Sequence, residues 1–231
     1  MKYRHLFFDL DHTLWDFDTN SRLTLEELYH SLQLKEKGVD DFDLFHKNYL
    51  AHNEKLWERY RNGYIKVDEL RLKRMWHTLL DFRIGDIKLA EELSVLFLEK
   101  LPTRTAVFPH TFEVLDYLAA KGYRMHLITN GFEKTQHSKL RHSRLDKYFE
   151  EVVTSESSNS LKPKKEIFDY AMNKVNCCAA ECIMLGDSIE VDIQGAMNAG
   201  MDQVFVNHLC IECDIKPTYT VRSLRELEGI L

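Results

Sequence analysis

Hydrophobic and polar positions change their period along the chain. Near the start an apolar run, Leu6-Phe7-Phe8, leads into Asp9-Leu10-Asp11-His12-Thr13, which predicts a short buried strand over 3–10. From about residue 19 to residue 100 the spacing becomes helical. Four groups carry it: Leu23, Leu25, Leu28, Tyr29 and Leu32; Leu44, Phe45, Tyr49, Leu56 and Tyr60; Leu70, Leu72, Met75, Trp76, Leu79 and Leu80; and Leu89, Leu93, Leu96 and Phe97. No run here has strand character, so the stretch predicts four helices, ended by Pro102. Beyond Pro109 strand and helix alternate: a helix over 111–120 stopped at Gly122, a strand over 123–129, a polar helix over 133–144 and a short strand near Val152. A helix over 164–175, a strand over 182–185, a helix over 191–199 stopped at Gly200 and a strand over 203–206 follow. An edge strand over 219–221 and a helix from Ser223 complete the pattern.

Strand–helix–strand units of this length predict an α/β fold, a Rossmann-like doubly wound parallel sheet covered on both faces by right-handed crossovers. The helical block interrupts that pattern after the first strand. The expected organisation is therefore an α/β core over 1–15 and 103–231 with an inserted all-helical cap over 16–102. Open sheets of this kind bind ligands at the carboxyl edge of their strands, beside a switch in strand order. No internal repeat or low-complexity segment appears.

Composition narrows the function classes. The chain has 231 residues, 44% hydrophobic and 29% charged, which is ordinary for a globular protein and excludes a disordered one. Its formal net charge of −6 argues against a nucleic-acid polymer as partner while leaving room for a small anion at a local basic site. The first apolar stretch is short and broken by Asp9 and Asp11, unlike a secretory leader, and nothing approaches the roughly 20 apolar residues of a membrane span. Five unevenly placed cysteines fit a reducing compartment, so a cytoplasmic protein, a monomer or dimer without membrane attachment, is expected. Cys210-Ile211-Glu212-Cys213, with His208 before it, lacks a second paired motif to complete a zinc site and opens no helix after a strand, so these are read as ordinary thiols.

The chemistry concentrates at strand ends. Residues two apart in a strand point the same way, so Asp9 and Asp11 leave the first strand toward one site. Ionised carboxylates beside apolar surface are costly unless a cation or hydrogen bonds compensate them. Thr129-Asn130-Gly131 closes a second strand with a hydroxyl and free N–H groups that suit an anion, though such a turn alone is weak evidence. Lys162-Pro163 precedes a helix, where a lysine is ordinarily solvated and gains meaning only beside an acidic or phosphate-bearing site. Gly186-Asp187-Ser188 ends another apolar strand, with Asp192 following. A hard oxygen-ligated cation such as Mg²⁺ accounts for so many clustered carboxylates.

In this order, Asp-x-Asp-x-Thr, a strand-end threonine, Lys-Pro and Gly-Asp-Ser with a later Asp resemble the four motifs of the haloacid dehalogenase (HAD) superfamily, and the helical block lies where that family carries a cap. The resemblance spans the whole chain. His12 stands where relatives often carry glycine. What the resemblance implies is phosphate-ester hydrolysis through an aspartyl-phosphate. Asp9 would be the nucleophile, and Asp11 would protonate the leaving alkoxide and later activate water. Thr129, Asn130 and Lys162 would bind phosphoryl oxygens, and Asp9, Asp11 (through its backbone carbonyl) and Asp187 would hold Mg²⁺. Asp192 would orient Lys162 or a metal-bound water.

The second aspartate also separates subclasses. Family members that cleave carbon–halogen bonds lack it, because a halide leaves without a proton. A phosphomutase uses both aspartates, and a noncatalytic binding relative should have lost one of Asp9, Asp11 or Asp187. The segment Asp11-His12-Thr13-Leu14-Trp15-Asp16-Phe17, the helical cap and Ile128-Thr129-Asn130-Gly131 together look like the branch that includes pyrimidine 5′-nucleotidases. Sugar-phosphate and phosphoglycolate phosphatases share the scaffold. Large side chains in and near the cap, including Trp57, Tyr60, Arg61 and Trp76, are mostly helix-packing residues by the usual behaviour of aromatics. Trp15, Phe17 and Tyr64 are the candidates for stacking on a nucleobase. Asp16 and Asp18 read as the start of the first cap helix.

Overall fold

A computed structural model of the chain describes residues 2–212 and 214–231. The chain divides into two compact units, one formed by Met1–Phe17 with Thr105–Leu231 and the other by Asp18–Arg104.

The first unit is built on a six-stranded, wholly parallel sheet. Its strands are β1 (His5–Phe8), β2 (Arg124–Thr129), β3 (Glu151–Thr154), β4 (Cys182–Gly186), β5 (Asp202–Val206) and β6 (Tyr219–Val221), in the spatial order β3-β2-β1-β4-β5-β6. The chain grows outward from β1 on one side, then returns to start again on the other. The order therefore reverses between β1 and β4, which pair Phe8 with Leu185 at their carboxyl ends. Asp9 and Asp187 each follow one of these two strands. Both strands are buried throughout, as near-continuous apolar runs in parallel sheets are. One face is filled by a cluster that includes Phe7, Ile128, Val153, Ile167, Phe168 and Met184.

The second unit is all-helical. Four helices, α1 (Phe17–Ser31), α2 (Phe42–Arg61), α3 (Val67–Asp81) and α4 (Ile87–Lys100), cover the block whose periodicity predicted them. Asp41 caps α2 by accepting from the Leu44 N–H at 3.0 Å, and Asp86 caps α4 through the Leu89 N–H at 3.1 Å. Leu25, Leu28, Phe45, Tyr49, Leu70, Met75, Leu79, Leu93 and Phe97 are buried. Leu23, Leu44 and Leu80, assigned to the same apolar faces by spacing, are exposed, because neighbouring Leu25, Phe45 and Leu79 take the inward positions. Arg74 is a buried cation inside this core: it donates to Asn53 Oδ1 at 3.1 Å and lies over the Phe97 ring.

The remaining helices of the first unit are α5 (Thr111–Ala120), α6 (Glu133–His142), α7 (Ser155–Ser158), α8 (Lys165–Lys174) and α9 (Gly195–Asn198). Three expected elements differ in form. The first strand is shorter than 3–10, because beyond Phe8 the chain leaves the ladder for the turns that carry Asp11. The helix expected over 191–199 starts earlier, as a wide π-helical turn over Ile189–Gln194, and becomes regular only at α9. The segment after Ser223 is a 3₁₀ helix, Leu224–Gly229. Among the described residues no helix is long and apolar enough to cross a membrane.

An unforeseen polar feature lies inside the sheet. His5 on β1 and His126 on β2 stack at 5.3 Å between ring centres, with Nδ1 of the first 3.1 Å from Nε2 of the second. Burial, and then the neighbouring His5, lower the His126 pKa to about 4. The unfolded chain takes up this proton near the ordinary value of 6.5, so between about 6.5 and about 4 the unfolded state binds more protons than the folded one. Stability contributed by neutral His126 is complete above that window and is lost as the pH falls through it. The unfolding temperature should therefore drop on acidification, and His126→Leu should flatten that drop; an unchanged acid limb in thermal melts would contradict the assignment.

Candidate active site

Every core residue singled out in the sequence lies in the first unit, at or just beyond the carboxyl ends of β1, β2 and β4 or in the loop before α8. Asp9 is buried at 8% exposure, and its Oδ1 accepts from Lys162 Nζ at 2.5 Å. The same ammonium donates to Asp192 Oδ1 at 2.6 Å. Lys162 is itself fully buried, so this lysine is fixed between two carboxylates and is far from the solvated charge such a position usually carries.

Local sequence explains how each member is held. The Asn130 side chain grips the Lys162 backbone on both sides, donating from Nδ2 to the Lys162 carbonyl at 2.9 Å and accepting the Lys162 N–H on Oδ1 at 2.7 Å. This ties the β2 end to the loop before α8. Asp192 Oδ2 accepts the Ser188 N–H at 3.1 Å. A Cβ at Gly186 would lie 2.4 Å from the Asp192 carboxyl, so only glycine leaves room for that side chain. Asp187 is oriented by Thr13, whose hydroxyl donates to Oδ1 at 2.9 Å. His12 sits at φ +63°, a left-handed backbone that favours glycine, which accounts for the residue type expected there in similar sequences.

Asp11 is turned to a different set of partners. Oδ1 accepts from Lys139 Nζ at 2.6 Å, and Oδ2 accepts from Gln136 Nε2 at 2.9 Å. Gln136 Nε2 also donates to Thr129 Oγ1 at 2.7 Å, which in addition accepts the Gly131 N–H at 3.1 Å. With two hydrogen bonds accepted, the Thr129 hydroxyl retains its own proton to donate. Gly131 is needed here too: a Cβ would fall 2.4 Å from the Gln136 amide.

The electrostatics are those of an acidic pocket with too few cations. Burial, and the neighbouring carboxylates of Asp192 and Asp187, raise Asp9 well above its ordinary value against the opposing pull of Lys162. Burial, followed by Asp192, pushes Asp187 up to about 7, opposed by the Thr13 hydrogen bond. Burial alone would lower Lys162, but Asp192 and Asp9 outweigh it and hold the amine protonated. For Asp11 burial is likewise outweighed, by the Lys139 charge and hydrogen bond and then by Gln136, and its carboxyl stands below the usual range. One oxygen each of Asp9, Asp187 and Asp192 lies within 4.8 Å of the others. Hard, closely spaced oxygens with an unrelieved negative charge are the donor set a Mg²⁺-type ion requires. The residues fit such an ion.

Lys139 and Gln136 escaped the sequence reading, which saw only a polar helix. A signal was present: α6 carries a single aliphatic residue, Leu140, so polar groups had to fill the rest of its inward face. The aromatic candidates part company. Trp15 is fully buried and Phe17 nearly so, with Lys139 Nζ 4.4 Å and 5.7 Å from their ring centres. Tyr64, in the helical unit, is 73% exposed. Trp57 and Trp76 are half-buried. Cys210 is exposed and unbridged, His208 stacks on Phe108 at 3.9 Å, and Cys213 lies outside the described residues.

A doubly wound sheet whose strand-order switch gathers Asp9, Lys162, Asp187 and Asp192 defines a hydrolase class. Residues 3–200 match the family model of the haloacid dehalogenase-like hydrolases, and the chain belongs to that family, as an enzyme of its phosphatase type. Over its full length it is 33% identical to the pyrimidine 5′-nucleotidase YjjG of Escherichia coli, covering 99% of that protein. It is 29% identical to human N-acylneuraminate-9-phosphatase, spanning all of this chain and 94% of the relative. Among solved structures it is similar to the magnesium-bound HAD-hydrolase YfnB of Bacillus subtilis, with a TM-score of 0.89 and 27% identity over 100% of this chain and 99% of that one.

If Asp187 holds a cation beside Asp9, removing its charge should have opposite effects with and without the ion. Asp187→Asn should raise the metal-free unfolding temperature at mildly alkaline pH by about 2–4 °C, the response of a chain this size to roughly 1 kcal/mol of relieved repulsion. It should also abolish most of the stabilisation that added Mg²⁺ gives the parent protein. Equal Mg²⁺-induced shifts in the two proteins, read by differential scanning fluorimetry, would remove Asp187 from the cation site.

Proposed function

We propose that the protein is a Mg²⁺-dependent phosphomonoesterase that works through an aspartyl-phosphate on Asp9 and acts on nucleoside monophosphates. The observation that carries the chemistry is Asp9 itself: a buried carboxylate at the strand-order switch, fixed by Lys162 and flanked by Asp187 and Asp192. The nucleotide assignment is supported by the full-length similarity to a pyrimidine 5′-nucleotidase.

In this reading an Asp9 oxygen forms a bond to phosphorus as the ester P–O bond breaks, and Asp11, held ionised by Lys139 and Gln136 until it takes a proton from the incoming phosphate monoanion, gives that proton to the departing alkoxide. Water then attacks the phosphoryl group, Asp11 takes the water's proton, the Asp9–phosphorus bond breaks, and orthophosphate leaves. Splitting one displacement into two lowers each barrier. Lys162 offsets the charge of the phosphoryl oxygens and the Thr129 hydroxyl donates a hydrogen bond to one of them, while the Asn130 side chain holds Lys162 in place. A bound Mg²⁺, held by Asp9, Asp187 and the Asp11 backbone carbonyl, would reduce repulsion between nucleophile and phosphate. Asp192 serves as the positioning partner of Lys162. In the helical unit Tyr64 is the exposed aromatic and the candidate for stacking on a nucleobase.

A second reading keeps the chemistry and changes the ester to a sugar phosphate, supported by the similarity to N-acylneuraminate-9-phosphatase. Phosphate release from pyrimidine and purine nucleoside monophosphates, N-acylneuraminate 9-phosphate and phosphoglycolate decides between them. Preference for a sugar phosphate over every nucleotide would overturn the nucleotide assignment. Asp9→Asn should abolish release from all substrates, and Asp11→Asn should lower kcat/KM about 10²–10⁴-fold, the usual worth of a general acid–base. Full activity in Asp9→Asn would sink the nucleophile.

A further inference from the structure

The Asp11 carboxylate is anchored to α6 by a residue that none of the four motifs contains. Lys139 is 3% exposed, deep in the site, with its ammonium 2.6 Å from Asp11 Oδ1. Two aromatic rings lie beside it: the Trp15 ring centre is 4.4 Å away and that of Phe17 is 5.7 Å away. A lysine loses much side-chain freedom on burial and is rarely buried without a charge partner. This one is ordered by a carboxylate on one side and ring faces on the other, so its position is tightly specified.

We propose that Lys139 is a positioning residue for the acid–base step, fixing Asp11 relative to the reacting phosphoryl group; this rests on the phosphatase reading above. Three features carry it. First, Lys139 holds Oδ1 alone, whereas Oδ2 is held by Gln136, a neutral amide whose Nε2 also serves Thr129 Oγ1. Gln136 can release Oδ2 and keep its bond to Thr129, so Oδ2 is the oxygen that turns to the leaving group while Lys139 anchors the other. Second, Gln136, about one turn before Lys139 on α6, links Asp11 to Thr129, so Lys139, Asp11, Gln136 and Thr129 form one hydrogen-bonded frame. Third, four carboxylates gather here, Asp9, Asp11, Asp187 and Asp192, against two buried lysines, Lys139 and Lys162. Each lysine has its own side of the site: Lys162 serves the nucleophile, and Lys139 serves the acid. Lys139 takes no part in bond making.

Leaving-group dependence separates this role from a merely structural one. An aryl phosphate with a stable leaving group, 2,4-dinitrophenyl phosphate, needs no proton in its first displacement; an alkyl phosphate does. Lys139→Met keeps the apolar stem against Trp15 and Phe17 and removes the charge. It should lower kcat/KM for an alkyl phosphate about 100-fold or more, the lower range of general-acid catalysis, and lower that for 2,4-dinitrophenyl phosphate less than about 10-fold. Lys139→Arg retains the cation and should recover the alkyl ester to within about 10-fold of the parent, against the full loss in Lys139→Met. In an Asp11→Asn background Lys139→Met should cost almost nothing further on the alkyl ester, because the two act as one unit. Equal losses on both esters, no loss on either, or additive losses in the double variant would each overturn the proposal. If Lys139→Met fails to fold, Lys139→Arg together with Lys139→Gln carries the same comparison. The alkyl ester is whichever one the parent protein hydrolyses, so a parent that cleaves sugar phosphates but no nucleotide refutes the nucleotide assignment and leaves this test intact.

Discussion

Lys162 buried between Asp9 and Asp192 is the interaction on which the site depends. Three ionisable groups lie where water does not compensate them, and each is tolerable only because the others are there. Removing one member of such a group costs about 3–5 kcal/mol, a large share of a domain's net stability. Arranging it requires the chain to bring together β1, the loop before α8 and the turn after β4. The doubly wound sheet does this by reversing its strand order between β1 and β4, so that a crevice opens where two strands diverge. Lys162 reaches that crevice because Asn130, at the end of β2, braces its backbone.

Around that group the remaining charge is left unbalanced. Asp187 is pushed up to about 7 by burial and by Asp192, against the Thr13 hydroxyl, the Lys162 charge and a backbone hydrogen bond that favour its ionised form. A structure selected for stability alone would replace such a carboxylate. Its place beside Asp9 and Asp192 suits a hard cation, whose positive charge would balance the clustered carboxylates. Glycine at 186 and at 131 is part of the same design, because a Cβ at either position would displace a carboxyl or amide that the site uses.

Much of this was legible in the sequence because it follows from local rules. Strand and helix periods place β1 to β6 in order, and carboxylates that end apolar runs stand out against the cost of burying them. Boundaries were less legible: the π-helical turn over Ile189–Gln194 arises where the chain must deliver Asp192 toward Lys162, a tertiary demand invisible to spacing. The faces of the helices in the second unit were read correctly at Leu25, Phe45 and Leu79 and incorrectly at Leu23, Leu44 and Leu80, since nearby leucines and aromatics compete for one inward position. Trp15, a stacking candidate by composition, is wholly enclosed.

The sequence by itself determined the alternation that makes a parallel α/β sheet, the insertion of a helical block and the identity of the acidic residues at the strand ends. Those properties are encoded within a few residues of where they are expressed. Only the tertiary structure decided which groups meet across long separations in the chain. It paired Lys162 with Asp9 and Asp192, gave Asn130 to the backbone of Lys162, and turned Asp11 toward Gln136 and Lys139. Lys139 shows the reason most clearly. On a polar helix it reads as one solvated charge among several, and it becomes part of the site only when packing removes its water and leaves Asp11 as its counter-charge.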